Sequence, residues 1–149
     1  MQEEAARRGM TMDAFGLLLT TDDSVDRTVD ELQRTKAREQ ERGIFEGRTA
    51  WYFVEQPNVK LFFTVDPRLA AERLLTDTAA NRDRYHSVEE ILKANEERKG
   101  AENKRYHDYY GIDAYDHSNF DIVVDTSGAT IEEVYAATVE KIVEFLQAK

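Results

Sequence analysis

The stretch Lys60-Leu61-Phe62-Phe63-Thr64-Val65-Asp66-Pro67 decides the fold class. Its nearly continuous apolar run is typical of a parallel strand that is buried on both faces. Asp66 is a natural N-cap and Pro67 a natural first helical residue, so we expect a helix to about Leu75 directly after the strand. Strand, cap and helix form a βα unit, which predicts an α/β fold.

One further strand is expected before this unit in the sequence and one after it. Ile44-Phe45-Glu46 is a short apolar segment upstream, and Phe120–Thr126 is a longer one downstream that turns at Ser127-Gly128. Thr130 and Glu133 form a capping box that opens the last helix. The apolar residues of that helix fall on one face and predict a core stripe: Ile131, Val134, Tyr135, Ile142, Val143 and Leu146.

The region before Gly43 reads as helical. A helix over residues 3–8 is predicted to end at Gly9, because glycine is favoured just after a helix C-terminus. A short second helix carries the apolar residues of 15–19, with Thr11 as one candidate cap. A third, acid-rich helix starts near residues 22–24 and runs to about Glu41.

A charged arm follows the βα unit. Ser87-Val88-Glu89-Glu90 is a second capping box, and the helix that it opens loses its apolar stripe after Leu92. A helix that becomes charged throughout is expected to project from the core, and Gly111 is expected to end it.

Arg98, Glu102 and Arg105 lie on that arm at i, i+4 and i+7, so they share one helix face. Two guanidiniums with a carboxylate between them suit phosphate oxygens. The alternative interpretation is a solvated, salt-bridged helix surface.

Composition excludes several classes of function. The 149 residues contain 30 acidic and 20 basic side chains, a net charge of −10, which disfavours binding to nucleic acid. Cysteine is absent, so disulfides, thiolate catalysis and sulfur-ligated metals are excluded. The scattered His86, His107 and His117 predict no metal site. With no apolar run long enough to span a membrane and no apolar signal core, we expect a cytoplasmic protein.

Several segments, taken in order, resemble the cytidylate kinase family, particularly its short archaeal-type branch. They are Arg8–Met12, Glu46-Gly47-Arg48, Val65–Arg73, Arg98–Tyr106, Tyr109–Asp113 and Ser118–Thr126. The resemblance implies phosphoryl transfer from ATP, with Mg²⁺, to CMP or dCMP, giving ADP and CDP. It also implies a P-loop nucleoside monophosphate kinase fold, a parallel sheet with helices on both faces. The expected partners are therefore small nucleotides, and we expect a monomer.

The resemblance also implies a division of one domain, residues 1–149. Residues 1–42 would be monophosphate-binding helices, 43–75 and 107–149 the core, and 76–106 the lid. Such enzymes act mainly by positioning and by neutralising charge on the transferred phosphoryl group.

Site residues follow from the same resemblance. Glu46-Gly47-Arg48 would hold the acceptor, with the arginine on its phosphate. Arg98 and Arg105 would be catalytic, approaching the acceptor and transferring phosphates, with Glu102 near them. Asp125-Thr126 would lie beside the adenine and contact it mainly through the backbone. Arg73 occupies a common family arginine position, with a salt bridge along its own helix as the alternative.

The motif Gly-x-x-x-x-Gly-Lys-Ser/Thr, whose backbone cradles the donor phosphates, does not occur in the 149 residues. We therefore expect a truncated kinase whose first strand, P-loop helix and second strand are missing, and which is inactive alone. The alternatives are another small P-loop kinase, such as an adenylate kinase, and a non-catalytic acidic interaction domain.

Overall fold

The computed structural model describes residues 2–11, 14, 23–40, 42–77 and 85–149. These residues belong to two compact units, Met1–Pro57 and Asn58–Lys149. No helix among the described residues is both long enough and apolar enough to cross a membrane.

The first unit begins with helix α1, Gln2–Arg7. Gly9 has a φ of +65°, and its N–H donates to Ala6 O at 3.0 Å, while the N–H of Met10 donates to Ala5 O at 2.9 Å. These bonds satisfy the last carbonyls of the helix, so the prediction that Gly9 ends it is confirmed.

Thr11 is the cap of the next turn, since its Oγ1 accepts the N–H of Ala14 at 3.2 Å. The rest of the predicted second helix, residues 15–19, lies outside the described residues. Residues 78–84, which belong to the predicted lid, also lie outside the described residues.

Helix α2 spans Asp23–Glu39 and helix α3 spans Ala50–Phe53. The strand predicted at Ile44–Glu46 is wrong: the segment forms no strand, and Ile44 is fully exposed. A strand needs hydrogen bonds to a neighbouring strand. Among the described residues, no strand pairs with this segment.

The second unit is organised by strands β1, Leu61–Thr64, and β2, Ile122–Asp125. They pair in parallel and in register from Leu61 opposite Ile122 to Thr64 opposite Asp125. The α/β class and the parallel pairing are thereby confirmed, with two strands in the part of the chain described here.

Helix α4, Pro67–Thr76, follows β1 almost directly. Asp66 Oδ1 accepts the N–H of Leu69 at 2.9 Å, and Pro67 occupies the first turn. The βα unit therefore forms as predicted, because all the groups that start the helix lie within three residues of each other.

Helix α5, Val88–Tyr110, begins at the N-cap Ser87, whose hydroxyl accepts the N–H of Glu90 at 3.1 Å. In a complete capping box the Glu90 carboxylate would accept the N–H of Ser87. Here it accepts the N–H of His86, one residue earlier, at 2.8 Å. Gly111, with a φ of +68°, ends the helix as predicted.

Helix α6, Ile131–Gln147, has the complete capping box predicted at Thr130 and Glu133, and it packs against β2. Its predicted core stripe forms only in part: Val134 and Ile142 are half-buried, but Ile131 is 84% and Tyr135 71% exposed. The two described strands present too little surface to cover the wide apolar face of this helix. The core of the unit consists of smaller buried residues: Ala71, Ile91, Ala114, Ile122 and Val124.

The connection to β2 closes one side of the sheet. The 3₁₀ helix His117–Asn119 brings its first residue to 4.9 Å from Phe62, measured between ring centroids, and Phe120 lies 4.7 Å from the same ring. The β1–β2 pair is thus covered by aromatic packing where the chain enters β2.

Candidate functional site

The Glu46–Arg48 segment forms an exposed turn that leads into α3. The N–H of Ala50 donates to Gly47 O at 3.2 Å, and Thr49 is only 3% exposed. Burial of Thr49 anchors the turn while the side chains of Glu46 and Arg48 stay at the surface. Both predicted acceptor-binding side chains are therefore accessible to a ligand.

Helix α2 supports this turn through α3. The Arg34 guanidinium lies 5.4 Å from the ring centroid of Phe53, which is 2% exposed. Arg38 Nη2 contacts Glu55 Oε1 at 2.6 Å. That hydrogen bond raises the pKa of Arg38 and lowers the pKa of Glu55.

Arg98 and Arg105 lie on the continuous helix α5, which confirms their helical spacing. Arg98 is exposed and donates to Asn95 Oδ1 at 2.9 Å. Arg105 is half-buried, with its guanidinium 5.3 Å from the ring centroid of Tyr106. The two arginines therefore differ in environment: one is a surface group and the other is packed.

Glu102 lies between them and is 9% exposed. Its Oε2 accepts a hydrogen bond from the hydroxyl of Tyr115 at 2.8 Å. The neighbouring Asn103 Oδ1 accepts the N–H of Ala114, which is 1% exposed, at 3.0 Å. The expectation that the arm projects after Leu92 is thus wrong from Glu102 onward, because these residues pack on the segment that follows the helix.

The lysines of the arm contact groups within the same unit. Lys104 Nζ contacts Asp108 Oδ2 at 2.5 Å, which raises the pKa of the lysine and lowers that of the aspartate. Lys93 lies 3.9 Å from Glu97, and the Lys99 ammonium lies 4.8 Å from the ring centroid of Tyr115.

Asp125 and Thr126 lie at the carboxyl end of the parallel strands, the edge at which open α/β sheets bind ligands. The N–H of Thr126 donates to Thr64 O at 2.8 Å, and the N–H of Ser127 donates to Asp125 Oδ1 at 3.0 Å. These two backbone donors are used inside the protein.

Arg73 holds the same turn. Its Nη2 donates to Thr126 O and Ser127 O, each at 3.2 Å. Ser127 Oγ also accepts the N–H of Asp66 at 2.8 Å. Sequence reasoning missed this role, since the partners of Arg73 lie 53 and 54 residues away and no local pattern indicates them.

The residues present do not fit a Mg²⁺·ATP phosphate site. In the described ranges, no group of three or more His, Asp or Glu side chains is arranged to hold a metal ion. The sequence also contains no glycine-rich phosphate loop with its lysine.

Comparison with known proteins decides the family. The model of the cytidylate kinase-like family matches residues 1–128, which include the Glu46–Arg48 turn and both arginines of α5. The chain belongs to the cytidylate kinase-like family. The match confirms the resemblance inferred from the ordered segments, and it favours the cytidylate kinase-like family over the two alternatives.

Relatives named cytidylate kinase support the assignment. The protein of Methanospirillum hungatei is 30% identical over 146 residues, which is 98% of this chain and 79% of the relative. That of Methanosphaerula palustris is 34% identical over 82% of this chain and 66% of its own length. That of Pyrococcus abyssi is 34% identical over 91% of this chain and 71% of its own length. No solved structure matches significantly.

Proposed function

We propose that this chain carries the monophosphate-acceptor part of a cytidylate kinase-like phosphotransferase, whose reaction converts ATP and CMP or dCMP to ADP and CDP. The observation that carries the proposal is the family match over residues 1–128, which includes Arg48, Arg98 and Arg105. The exposed Arg48 binds the acceptor phosphate, and Glu46 contacts the acceptor beside it.

Arg98 and Arg105 bind phosphate oxygens from helix α5. They are seven residues apart on one helix face, about 10 Å along the axis, a separation that two long guanidinium side chains can bridge toward one ligand. Glu102, held by Tyr115, positions this part of the helix. Residues 76–106 act as the lid in this proposal.

Asp125 and Thr126 lie beside the donor base in this proposal, at the carboxyl end of β2. The donor phosphates and Mg²⁺ need a glycine-rich loop that these 149 residues do not contain. The purified polypeptide therefore binds the acceptor without catalysing transfer.

Titration with CMP, followed by the fluorescence of Trp51 near Arg48, tests the acceptor assignment. We expect saturable binding of CMP that is tighter than that of AMP or UMP and is weakened by Arg48→Ala, Arg98→Ala and Arg105→Ala. Arg68→Ala is the matched control, because Arg68 is an exposed arginine paired with Glu72 and Glu89. Equal CMP affinity in all variants would overturn the assignment. In a coupled assay, CMP-dependent turnover by the purified chain would contradict the expected inactivity.

A further inference from the structure

Gln33 of helix α2 contacts the turn to which we assign acceptor binding. If Gly47 carried a Cβ, that atom would lie 3.5 Å from Gln33 Nε2 and 3.7 Å from Gln33 Oε1. The side-chain amide therefore packs on the backbone of the Glu46–Arg48 turn, at the residue that has no side chain. Helix α2 is held beside this turn by Arg38, which contacts Glu55.

The amide oxygen of Gln33 is unpaired. Oε1 is buried, and it accepts no hydrogen bond from any residue that the structure describes. Turning the amide over would place Nε2 at the same point and leave a donor unpaired instead. A buried polar group without a partner destabilises a protein, whereas an apolar side chain of similar shape would fill this space without that cost. Because native proteins retain few such groups and accept them mainly at functional sites, the glutamine indicates a role in the turn beside it.

The turn contains backbone donors that are also unused. Its carbonyl at Gly47 accepts the N–H of Ala50 at 3.2 Å. In the described part of the chain, by contrast, the N–H groups of Gly47 and Thr49 donate to no other backbone group. The Thr49 side chain makes no capping hydrogen bond. An unpaired acceptor thus lies against a turn with unused donors, which points to a hydrogen bond that this conformation leaves unmade.

We propose that Gln33 is a positioning residue for the acceptor: its Oε1 accepts the backbone N–H of Gly47 or Thr49 when a nucleoside monophosphate binds at Arg48. The phosphate fixes the Arg48 guanidinium. The hydrogen bond to Gln33 then holds the turn in the bound geometry. Because this bond forms only in the bound state, it adds to affinity and not to the stability of the protein without nucleotide. This role rests on the acceptor function proposed above, and Gln33 acts through the turn without touching the ligand.

Gln33→Met tests the bond, because it removes the amide and keeps an unbranched side chain of similar length. The melting temperature of the protein without nucleotide should rise, since a buried unpaired polar group is removed. The affinity for CMP, measured by isothermal titration calorimetry, should fall about fivefold, the usual net contribution of one hydrogen bond. A residue with a merely structural role would not change the two quantities in opposite directions.

Gln147→Met is the matched control, because Gln147 is an exposed glutamine of α6 in the second unit. It should leave both the melting temperature and the CMP affinity unchanged. Amide hydrogen exchange, measured by NMR, reports the bond itself. Saturation with CMP should slow exchange at the N–H of Gly47 or Thr49 in the wild type and at neither in Gln33→Met.

Three results would overturn the role of Gln33 alone. The first is CMP binding that Arg48→Ala weakens and Gln33→Met does not. The second is unchanged exchange at both Gly47 and Thr49 when the wild type is saturated with CMP. The third is a Gln33→Met protein that loses stability together with affinity, since a structural defect would then explain the weaker binding. If the wild type does not bind CMP, or if Arg48→Ala leaves its affinity unchanged, the acceptor function itself is wrong and the role of Gln33 with it.

Discussion

The hydroxyl of Tyr115 donates a hydrogen bond of 2.8 Å to the Glu102 carboxylate, 13 residues earlier in the chain. This contact ties the last turns of α5 to the segment that leads toward β2. It accounts for the near-complete burial of a carboxylate on an otherwise charged helix, because a buried charge is tolerated only when it is hydrogen-bonded.

Tyr115→Phe should lower the free energy of unfolding by about 2 kcal/mol, the cost of removing a hydrogen bond to a buried charged group. Urea denaturation measures the change. Tyr135→Phe is the control and should be neutral, since Tyr135 is 71% exposed. Equal stability of the two variants would show that the bond does not hold Glu102 in solution.

Arg98 and Arg105 should differ in their effect on stability. Arg98→Ala should change the free energy of unfolding by less than about 0.5 kcal/mol, as expected for a surface substitution. Arg105→Ala should lower it by about 1 kcal/mol, because a half-buried arginine packs through its methylene groups. Thermal unfolding distinguishes the two, and a larger loss for Arg98→Ala would reverse the assignment of their environments.

Arg73→Ala should loosen the turn after β2. It removes the donor to the carbonyls of Thr126 and Ser127, so amide hydrogen exchange over residues 125–128 should accelerate and stability should fall by about 1 kcal/mol. Arg68→Ala in the same helix removes only exposed ion pairs and should leave exchange in the turn unchanged. Unchanged amide hydrogen exchange over residues 125–128 in Arg73→Ala would show that Arg73 does not restrain this turn.

The pKa of Asp125 should respond to Ser127. Hydrogen bonds from the Ser127 hydroxyl and backbone N–H hold this pKa below its ordinary value of 3.8. A lowered folded-state pKa means that the ionised carboxylate stabilises the fold above 3.8, and that this contribution is lost as the pH falls through the folded-state pKa. Ser127→Ala should raise the pKa toward 3.8, and carboxyl-carbon NMR titration would measure the shift. An unchanged titration curve would show that the hydroxyl does not contribute.

Local signals were sufficient wherever the interacting groups are near in sequence. The N-caps Asp66, Ser87 and Thr130 and the helix-ending glycines Gly9 and Gly111 form as predicted, although Glu90 accepts from His86 and not from the backbone of Ser87. In each case the donor and acceptor lie within about five residues, so the pattern of side chains contains the whole interaction. The family could also be inferred from ordered segments, and the family match bears that out.

Patterns that depend on a distant neighbour were less informative. Ile44–Glu46 has strand-like residues but forms no strand. The apolar stripe of α6 predicts core positions that Ile131 and Tyr135 do not have. Apolar periodicity shows which face favours burial and cannot show whether another element covers it.

The sequence by itself therefore determined the α/β class, the capping residues and ending glycines of several helices, and the cytidylate kinase-like family. Tertiary structure alone decided that Tyr115 holds Glu102, that Arg73 binds the turn after β2, and that one face of α6 stays in solvent. The physical reason is distance along the chain. Caps and turns depend on neighbouring residues, whereas these contacts join residues that only the folded backbone brings together.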